Sequence, residues 1–385
     1  MAYLAIWWLV VAMAAVALAY QAFALWALRR HFGLALPVSG DAPAVSILKP
    51  LYRDEPRLAD NLRSFARQDY AGPVQIVLAT NTPDDPALPA ARAVMAGHLA
   101  VDFALSTGPV TPAANGKMAN CAAALPLCAH DIILLSDSDM VVRPDYLAQI
   151  TAALAQPGVG AVSCLYAGRG DAGVWSRMGA AIISASTLPN MVVGLITGMA
   201  RPCMGSTIAI RRETLTAMGG FDALRDVLAD DHAIGAGVAA MGMRVAIPPM
   251  VLVHAGAEGS ARALWRQHLR WAVTVRDLAG AGHYGSVVTH GTVWALLACA
   301  MAPGVWVWPL IATLALRQTI AARVNARAGL PMPPLWLVVA GDLFAFAAFC
   351  GSLCASKIDW RGAGLTITAK GRIADRAAAP DKRDR

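Results

Sequence analysis

The stretch Asp131-Ile-Ile-Leu-Leu-Ser-Asp137-Ser-Asp139-Met140 decides the fold. Ile132 to Leu135 is a short apolar run of the kind that makes a strand buried on both faces. It ends in two carboxylates, one residue apart. In an open α/β sheet, ligands sit just beyond the carboxyl ends of strands. Asp137 and Asp139 at such an edge suit a divalent cation, Mg²⁺ or Mn²⁺, carrying a diphosphate. Magnesium is commonly held by one or two carboxylates together with substrate phosphates. A polar turn after a buried strand would use the same residue types without any ligand, so the surrounding chain must decide.

Upstream of this stretch, strand and helix patterns alternate. Residues 44–48 and 74–78 read as buried strands and 101–105 as a shorter one. Between them, residues 55–67 carry Leu58, Leu62 and Phe65 at helical spacing, and residues 86–99 and 117–125 also read as helices. Such alternation predicts a doubly wound, mostly parallel sheet with helices on both faces. Lys49, Asp84, Asp85 and Lys117 then all fall at strand ends or in the loops beside them, on one edge of that sheet. GxGxxG occurs at residues 168–173 and 280–285, but neither is followed by the acidic residue about 20 positions on that the dinucleotide fingerprint needs, and no GxxxxGK[ST] occurs, so neither that fingerprint nor the P-loop is present.

Downstream, residues 143–154 look helical and 159–164 strand-like, and Gly219-Gly220 is a turn. Asp230-Asp231 opens a helix. Acids in a first turn serve the helix dipole, but capping needs only one of them, and a carboxylate held beside another charge can be tuned into a general base. Residues 260–276 form a basic amphipathic helix with tryptophans, the pattern of a segment lying in a membrane interface. Gln267, Arg270 and Trp271 lie within it. Arginine there offers charge to a leaving diphosphate, and tryptophan offers an aromatic floor.

The 385 residues are 57% hydrophobic with a mean hydropathy of +0.50, and only 15% are charged, against a typical ~25%. This composition predicts a membrane protein. The net charge is +7, but no lysine-rich or aromatic-interleaved basic tract accompanies it, so nucleic acid is not the expected partner. The arginines flank apolar spans and fit anionic headgroups and positive-inside topology. The seven cysteines lack any CxxC and read as small buried hydrophobes in a reduced compartment.

Residues 4–28 are uncharged and long enough to span a bilayer, and Arg29 and Arg30 follow at once. A cleaved leader has the reverse order. Residues 1–32 are therefore expected to be an anchor with its N-terminus outside, and residues 40–280 a cytoplasmic domain. Residues 174–199, interrupted by glycines and Pro189, are expected to be a buried or interfacial segment rather than a simple span.

Residues 285–356 are expected to hold the C-terminal membrane helices. The block 287–316 is too long for one untilted span of ~20 residues and reads as a kinked span or a re-entrant pair. Arg317, Arg323 and Arg327 follow it, while Lys357, Arg361, Lys370 and Arg372 follow the block 334–355. Simple spans cannot keep both groups inside. Residues 357–385 are expected to be a tail, disordered toward its end.

Asp84/Asp85, Asp137-Ser-Asp139, Asp230-Asp231 and Gln267-His-Leu-Arg270-Trp271 together resemble the D, DxD, D, QxxRW series of membrane-embedded inverting glycosyltransferases with a GT-A (nucleotide-diphospho-sugar transferase) fold. The stretches SILKPLYRDEP, VQIVLATNTPDDPA, NGKMAN, RPCMGSTIAIRRETL and LADDHAIGA narrow the resemblance to the ceramide glucosyltransferase-like branch. Within that branch the chain looks most like the bacterial hopanoid-biosynthesis-associated glycosyltransferases. The likeness covers roughly residues 1–300.

The resemblance implies an α/β GT-A domain with a mixed sheet, flanked by transmembrane or re-entrant helices at both ends. It implies a divalent metal and a UDP-sugar donor. Asp84 and Asp85 match the first aspartate, on the uridine side of the donor; Asp137 and Asp139 match the DxD, with Asp139 the more direct metal ligand. Asp231 matches the catalytic base, and Gln267, Arg270 and Trp271 match the last motif, in which His268 stands where an acid is more familiar. The implied reaction moves a sugar, N-acetylglucosamine in the leading reading, onto a hopanoid lipid such as bacteriohopanetetrol at a bacterial inner membrane. Glucosylation of ceramide or a related lipid is the second reading. A polysaccharide synthase, which usually has more spans, and a non-catalytic scaffold are weaker ones.

Overall fold

The computed structural model describes residues 1–355 other than 54, 109 and 202, and beyond them the backbone of segments 357–360, 363–368 and 372–376. The chain divides into two compact units. One comprises Phe32–Tyr166 and Gly198–Ala257; the other comprises Met1–His31, Ala167–Thr197 and the chain from Glu258 onward.

The first unit is built on a seven-stranded mixed sheet. In chain order its strands are β1 (Val45–Pro50), β2 (Val74–Ala79), β3 (Asp102–Ser106), β4 (Ile132–Ser136), then β6 (Val159–Ser163), β8 (Thr207–Arg211) and β9 (Arg244–Ala246). Two shorter excursions, β5 (Met140–Val141) and β10 (Val251–Gly256), pair antiparallel, with His254 opposite Met140. Strand β7 (Leu165–Gly170) carries the chain out of this unit.

The sheet order is β3-β2-β1-β4-β8-β6-β9. From β3 to β4 every pairing is parallel; β8 runs antiparallel to both β4 and β6. The expected sheet was mostly parallel, and β8 is the departure.

Alternation along the strands explains the two cores. Ile47, Ile76, Leu78 and Leu134 pack on one face with Leu58, Leu62, Phe65 and Tyr146. Their neighbours Leu48, Val77, Ile133 and Leu135 pack on the other with Met118, Cys121 and Ile234. Period-2 patterning sends adjacent apolar residues to opposite faces, so runs such as Ile-Ile-Leu-Leu must be covered twice. Burial of each such side chain stabilises by roughly 1.5–3 kcal/mol. The spacing Leu58, Leu62, Phe65 marks the buried face of the helix Leu58–Ala66. The parallel register sets Leu48 beside Leu135 and Pro50 beside Ala79. It therefore brings Lys49, Thr80 and Asp137 to the same sheet edge, at the point where strand order reverses between β1 and β4.

In the second unit, helices Tyr3–Phe32, Val174–Thr197, Pro303–Arg327 and Leu335–Cys354 are long and apolar enough to cross a membrane. The segment 174–199, expected to be a buried or interfacial helical segment, is one continuous helix over Val174–Thr197 with a π-helical stretch at Ile183–Thr187. Pro189 does not break it. The ring cannot donate to the carbonyl of Ala185, and that oxygen accepts from Arg317 Nη1 at 2.8 Å instead.

The block read as 287–316 divides at Ala302 into helices Gly291–Met301 and Pro303–Arg327, with Pro303 at the first helical position. The helices on either side of His290 bend by 56°. Arg317, read as a flanking charge, is 2% exposed inside the helix packing and paired with Asp342. Residues 357–360, 363–368 and 372–376 form a three-stranded antiparallel sheet where a tail was expected. The expected disordered end, residues 377–385, lies outside the described residues. All seven cysteines are free; Cys350 and Cys354 are exposed, contrary to the expectation of burial, because they lie on the outer face of an apolar helix.

Candidate active site

Strand β1 delivers Lys49, whose side chain is fully buried. Its Nζ donates to the Asp137 carbonyl at 2.7 Å and lies 3.5 Å above the centroid of the Phe65 ring. Burial pulls its pKa down to about 7, against the attraction of Asp137, Asp139 and Glu55.

The helix Gly116–Ala124 delivers Lys117. Asn115 caps this helix: its side-chain oxygen accepts from the Met118 N–H. Lys117 Nζ lies 2.7 Å from Asp137 Oδ1 and 3.5 Å from Asp230 Oδ2. Burial opposes the charge of Lys117, but the two carboxylates outweigh it and hold the ammonium above its ordinary range. Lys117 thus ties the end of β4 to the start of the helix Asp230–Ala240.

Beyond Asp137, the backbone turns through Ser138 into β5. Asp139 Oδ2 lies 3.1 Å from His254 Nε2 on β10, and the Ala255 N–H donates to the Asp139 carbonyl at 2.7 Å. Burial alone would raise the Asp139 pKa; His254, then Lys49 and Lys117, hold it below the usual carboxylate range. Asp139 Oδ1 is buried without a hydrogen-bond partner. An ionised carboxylate with one orphaned oxygen is poised for a cation.

Asp231 is held differently. Oδ2 accepts from the Gly205 N–H at 3.0 Å and Oδ1 from the His232 N–H at 2.7 Å. A side chain at position 205 would stand 3.2 Å from Asp231 Oδ2, so glycine permits the close approach. Burial, reinforced by Asp230, raises the Asp231 pKa to about 6. The doubled acids therefore differ: Asp230 is the ion-pair partner of Lys117, and Asp231 is a carboxylate set near neutrality.

At position 84/85 the two acids also separate. Asp85 is buried, and its Oδ1 accepts from the Arg53 and Ala87 N–H groups, both at 2.9 Å. Asp84 is exposed. Asp85 pins a left-handed residue, Arg53, and starts the helix Leu88–Ala96; it stands outside the chain of contacts that joins Lys49, Lys117, Asp137, Asp139, Asp230 and Asp231. Gln267, Arg270 and Trp271 belong to the second unit, half-buried on the helix Ala261–Ala279.

The sequence reading missed His254. The signal was present, since Val251-Leu-Val-His254 is an apolar run ending in a polar group, as at 131–139. Among the described residues no group of three or more His, Cys, Asp or Glu side chains could hold a metal ion unaided. Two carboxylates with a neighbouring imidazole form a partial donor set, of the kind that diphosphate oxygens complete.

The sequence pattern of glycosyl transferase family 21 matches residues 9–373. The chain belongs to this family. An N-acetylglucosaminyltransferase of Mesorhizobium japonicum is 32% identical over 133 residues, which is 32% of this chain and 30% of that protein. Ceramide glucosyltransferase 1 of Caenorhabditis elegans is 20% identical over 230 residues, 60% of this chain and 49% of its own length. The family 21 chain thus spans half or less of these curated relatives. Among solved structures, the mannosyltransferase PcManGT of Pyrobaculum calidifontis, in complex with GDP-Man and Mn²⁺, superposes with a TM-score of 0.51 at 22% identity. The superposition covers 89% of this chain and 99% of that one. The family 21 chain therefore has the GT-A fold, with apolar helices toward both ends that are long enough to span a membrane.

Proposed function

We infer that this family 21 glycosyltransferase moves N-acetylglucosamine from UDP-N-acetylglucosamine to a polyhydroxylated hopanoid lipid such as bacteriohopanetetrol, with inversion, at the cytoplasmic face of a bacterial inner membrane. The observation that carries the reading is Asp231. It is a carboxylate with a pKa near 6, fixed by two backbone N–H groups, and its neighbour Asp230 joins through Lys117 to the acidic end of β4. A general base works best with a pKa close to the operating pH.

In this reading Asp231 takes the proton of the acceptor hydroxyl. The hydroxyl oxygen attacks the anomeric carbon in line, the bond from that carbon to the UDP oxygen breaks, and the configuration inverts. Lys117 and Lys49 hold positive charge near the donor diphosphate, and Asp85 with Asp84 orders the loop on the uridine side. Arg270, Gln267 and Trp271 attend the leaving group and the acceptor. Asp137 and Asp139, with His254 beside them, would hold Mg²⁺ or Mn²⁺ together with the donor diphosphate, and a cation bound there would supply positive charge for the departing diphosphate. The orphaned Asp139 Oδ1 fits that use. The solved relative carries a nucleotide sugar and Mn²⁺, which supports a donor and metal of this class.

Glucosylation of ceramide is the second reading, because the match to ceramide glucosyltransferase runs over more of the chain. The purified chain is to be incubated with Mg²⁺ or Mn²⁺, labelled UDP-sugars, and bacteriohopanetetrol or ceramide, and the products weighed by mass spectrometry. A hopanoid heavier by N-acetylhexosamine supports the leading reading; a hexosyl ceramide replaces it with the second. Asp139→Ala is expected to abolish metal-dependent UDP binding. Unchanged affinity would move the metal to other groups.

A further inference from the structure

The helix Leu335–Cys354 is long and apolar enough to cross a membrane, yet its partners within the second unit hold it at one depth. The helix Tyr3–Phe32 serves as the ruler, with Arg29 and Arg30 near one end and Trp7 and Trp8 near the other. Gly291 meets Ala17 and Gln21 of that helix, and Ala298 packs with Val10 and Ala14. The helix Gly291–Met301 therefore runs antiparallel to it, away from the arginine end. After the turn at Ala302, Pro303–Arg327 packs back along Gly291–Met301. Arg317 Nη2 donates to the Thr289 carbonyl at 2.8 Å, which sets Arg317 level with Gln21. At 1.5 Å of rise per residue, Arg29 and Arg30 lie ~12–14 Å beyond Gln21, and Arg323 and Arg327 ~9–15 Å beyond Arg317. These four arginines share one face.

The chain then turns back. Asn325 Nδ2 donates to the Pro331 carbonyl and Gln318 Nε2 to the Pro333 carbonyl, both at 2.7 Å, so the connection climbs from the arginine end only as far as Gln318. Pro331, Pro333 and Pro334 have no N–H to leave unpaired, and side chains of the preceding helix serve two of the carbonyls. Irregular backbone at membrane depth survives only with such partners. From there Val338 packs with Ala185 and Ala321, Asp342 pairs with Arg317, and Phe346 and Phe349 meet His290. Ser352 Oγ lies 2.9 Å from His283 Nε2, and the Ala355 carbonyl accepts from Arg276 Nη1 at 2.9 Å. The 56° bend at His290 is less than a right angle, so the chain is already climbing before it, and His283 lies on the arginine side of His290. These partners all lie within about one turn (~5 Å) of the level of Gln21 or nearer the arginine end. The helix Val174–Thr197 keeps the same level: Tyr20 donates to Asn190 Oδ1 at 2.7 Å, the Ala185 carbonyl accepts from Arg317, and Ile182 borders Gly341.

We propose that Leu335–Cys354 and Val174–Thr197 lie within a single leaflet instead of crossing the bilayer, and that the acyl chains of that leaflet are the partner of the exposed Trp336, Leu343 and Leu353. The described chain then crosses three times: at Tyr3–Phe32, at Gly291–Met301 with Ala281–Thr289 leading into it, and at Pro303–Arg327. Everything after Cys354 returns to the face of Arg29 and Arg30. Lys357, Arg361, Lys370 and Arg372 thereby join Arg323 and Arg327 on one side, which the positive-inside rule requires and simple spans could not provide. The composition of Leu335–Cys354 agrees. A helix riding on the surface is amphipathic, whereas a submerged one is apolar all round. This arrangement is independent of which sugar and which acceptor the enzyme uses.

The test uses the full chain in membrane vesicles of known orientation, with Cys299, Cys350 and Cys354 replaced by Ala so that only buried cysteines remain. Gly40→Cys, Gly304→Cys, Ala326→Cys and Ala378→Cys are introduced one at a time and exposed to a membrane-impermeant maleimide from either side. Positions 40, 326 and 378 are expected to react from one face and position 304 from the other. Reaction of Ala378→Cys from the face of position 304 would show that the last helix crosses, and reaction of Ala326→Cys from that face would show that the hairpin does not return; either overturns the proposal. A second measurement reads the last helix directly, whatever the tail does. Nitroxide labels at Trp336→Cys, at Leu343→Cys and at the native Cys350 are compared for collisions with oxygen and with a water-soluble nickel complex, which reports depth. An in-leaflet helix is expected to give depths that agree within ~5 Å, whereas a crossing helix changes depth by ~20 Å from position 336 to 350. A steady change of that size overturns the proposal.

Discussion

Substitution of Asp231 by Asn separates activity from stability in a way the geometry fixes. In the wild type, burial and Asp230 raise the Asp231 pKa from 3.8 to about 6. Two pKa units correspond to about 3 kcal/mol. Because the folded pKa is raised, the folded state holds the proton more tightly than the unfolded one. That stability is present below pH ~4, is lost between about 4 and 6, and stays lost above. Asn carries no charge and escapes the loss. It has only one acceptor atom for the Gly205 and His232 N–H groups, so one of them faces an amide NH₂, a penalty of about 1–3 kcal/mol at every pH.

Asp231→Asn is therefore expected to be destabilising at pH 4 and close to neutral at pH 8, a swing of about 3 kcal/mol. Thermal unfolding of the detergent-solubilised protein at the two pH values measures it. Turnover in the same variant is expected to fall about 10²–10⁴-fold with UDP-sugar binding retained, and wild-type turnover to rise to pH ~6 and then level. An equal loss of stability at both pH values refutes the burial argument. Near-normal turnover refutes the assignment of the base.

Lys49 has a folded pKa of about 7 against an ordinary 10.5. Between those values the unfolded chain keeps a proton that the folded chain sheds, so wild-type stability is expected to rise with pH across that range and the rise to vanish in Lys49→Met; unfolding midpoints from pH 7 to 10 check it. Lys117→Met leaves Asp137 and Asp230 without their shared cation. It is expected to destabilise by about 3 kcal/mol at pH 8 and by less at pH 5, where carboxylates can protonate, as denaturation at the two pH values reads. Arg317→Leu is expected to cost about 3–5 kcal/mol by stranding Asp342, with much of the loss recovered in the double variant Arg317→Leu/Asp342→Leu; a fully additive double variant would show that the pair is not coupled.

Local pattern and strand-end chemistry carried the reading of the first unit. The runs at 45–50, 74–79 and 132–136 are mostly apolar and buried almost throughout because both sheet faces are covered, and the parallel register then places their polar ends together. His254 escaped because β10 lies outside the seven-stranded sheet and pairs with the two-residue β5. Nothing local announces a partner brought from over a hundred residues away. The topology of the C-terminal helices stayed open for another reason. The positive-inside rule counts loop charges, and Arg317 was counted as one. Its guanidinium is instead buried, bonded to Asp342 and to the carbonyls of Ala185 and Thr289. Periodicity cannot reveal a charge whose partner lies 25 residues further on.

That contrast separates two uses of a buried charge. Arg317 and Asp342 lie deep among apolar helices, yet Arg317 donates to three acceptors and Asp342 also accepts from Thr292. The Ala185 carbonyl it reaches is one that Pro189 cannot serve. A network closed in this way holds helices together and has no valence left for a ligand. Asp139 keeps one oxygen orphaned. Each open valence costs folding stability that a closed network would recover. An open one is where a ligand has something to gain, and that of Asp139 falls at the acidic end of β4, where the sequence already gathered its unusual chemistry.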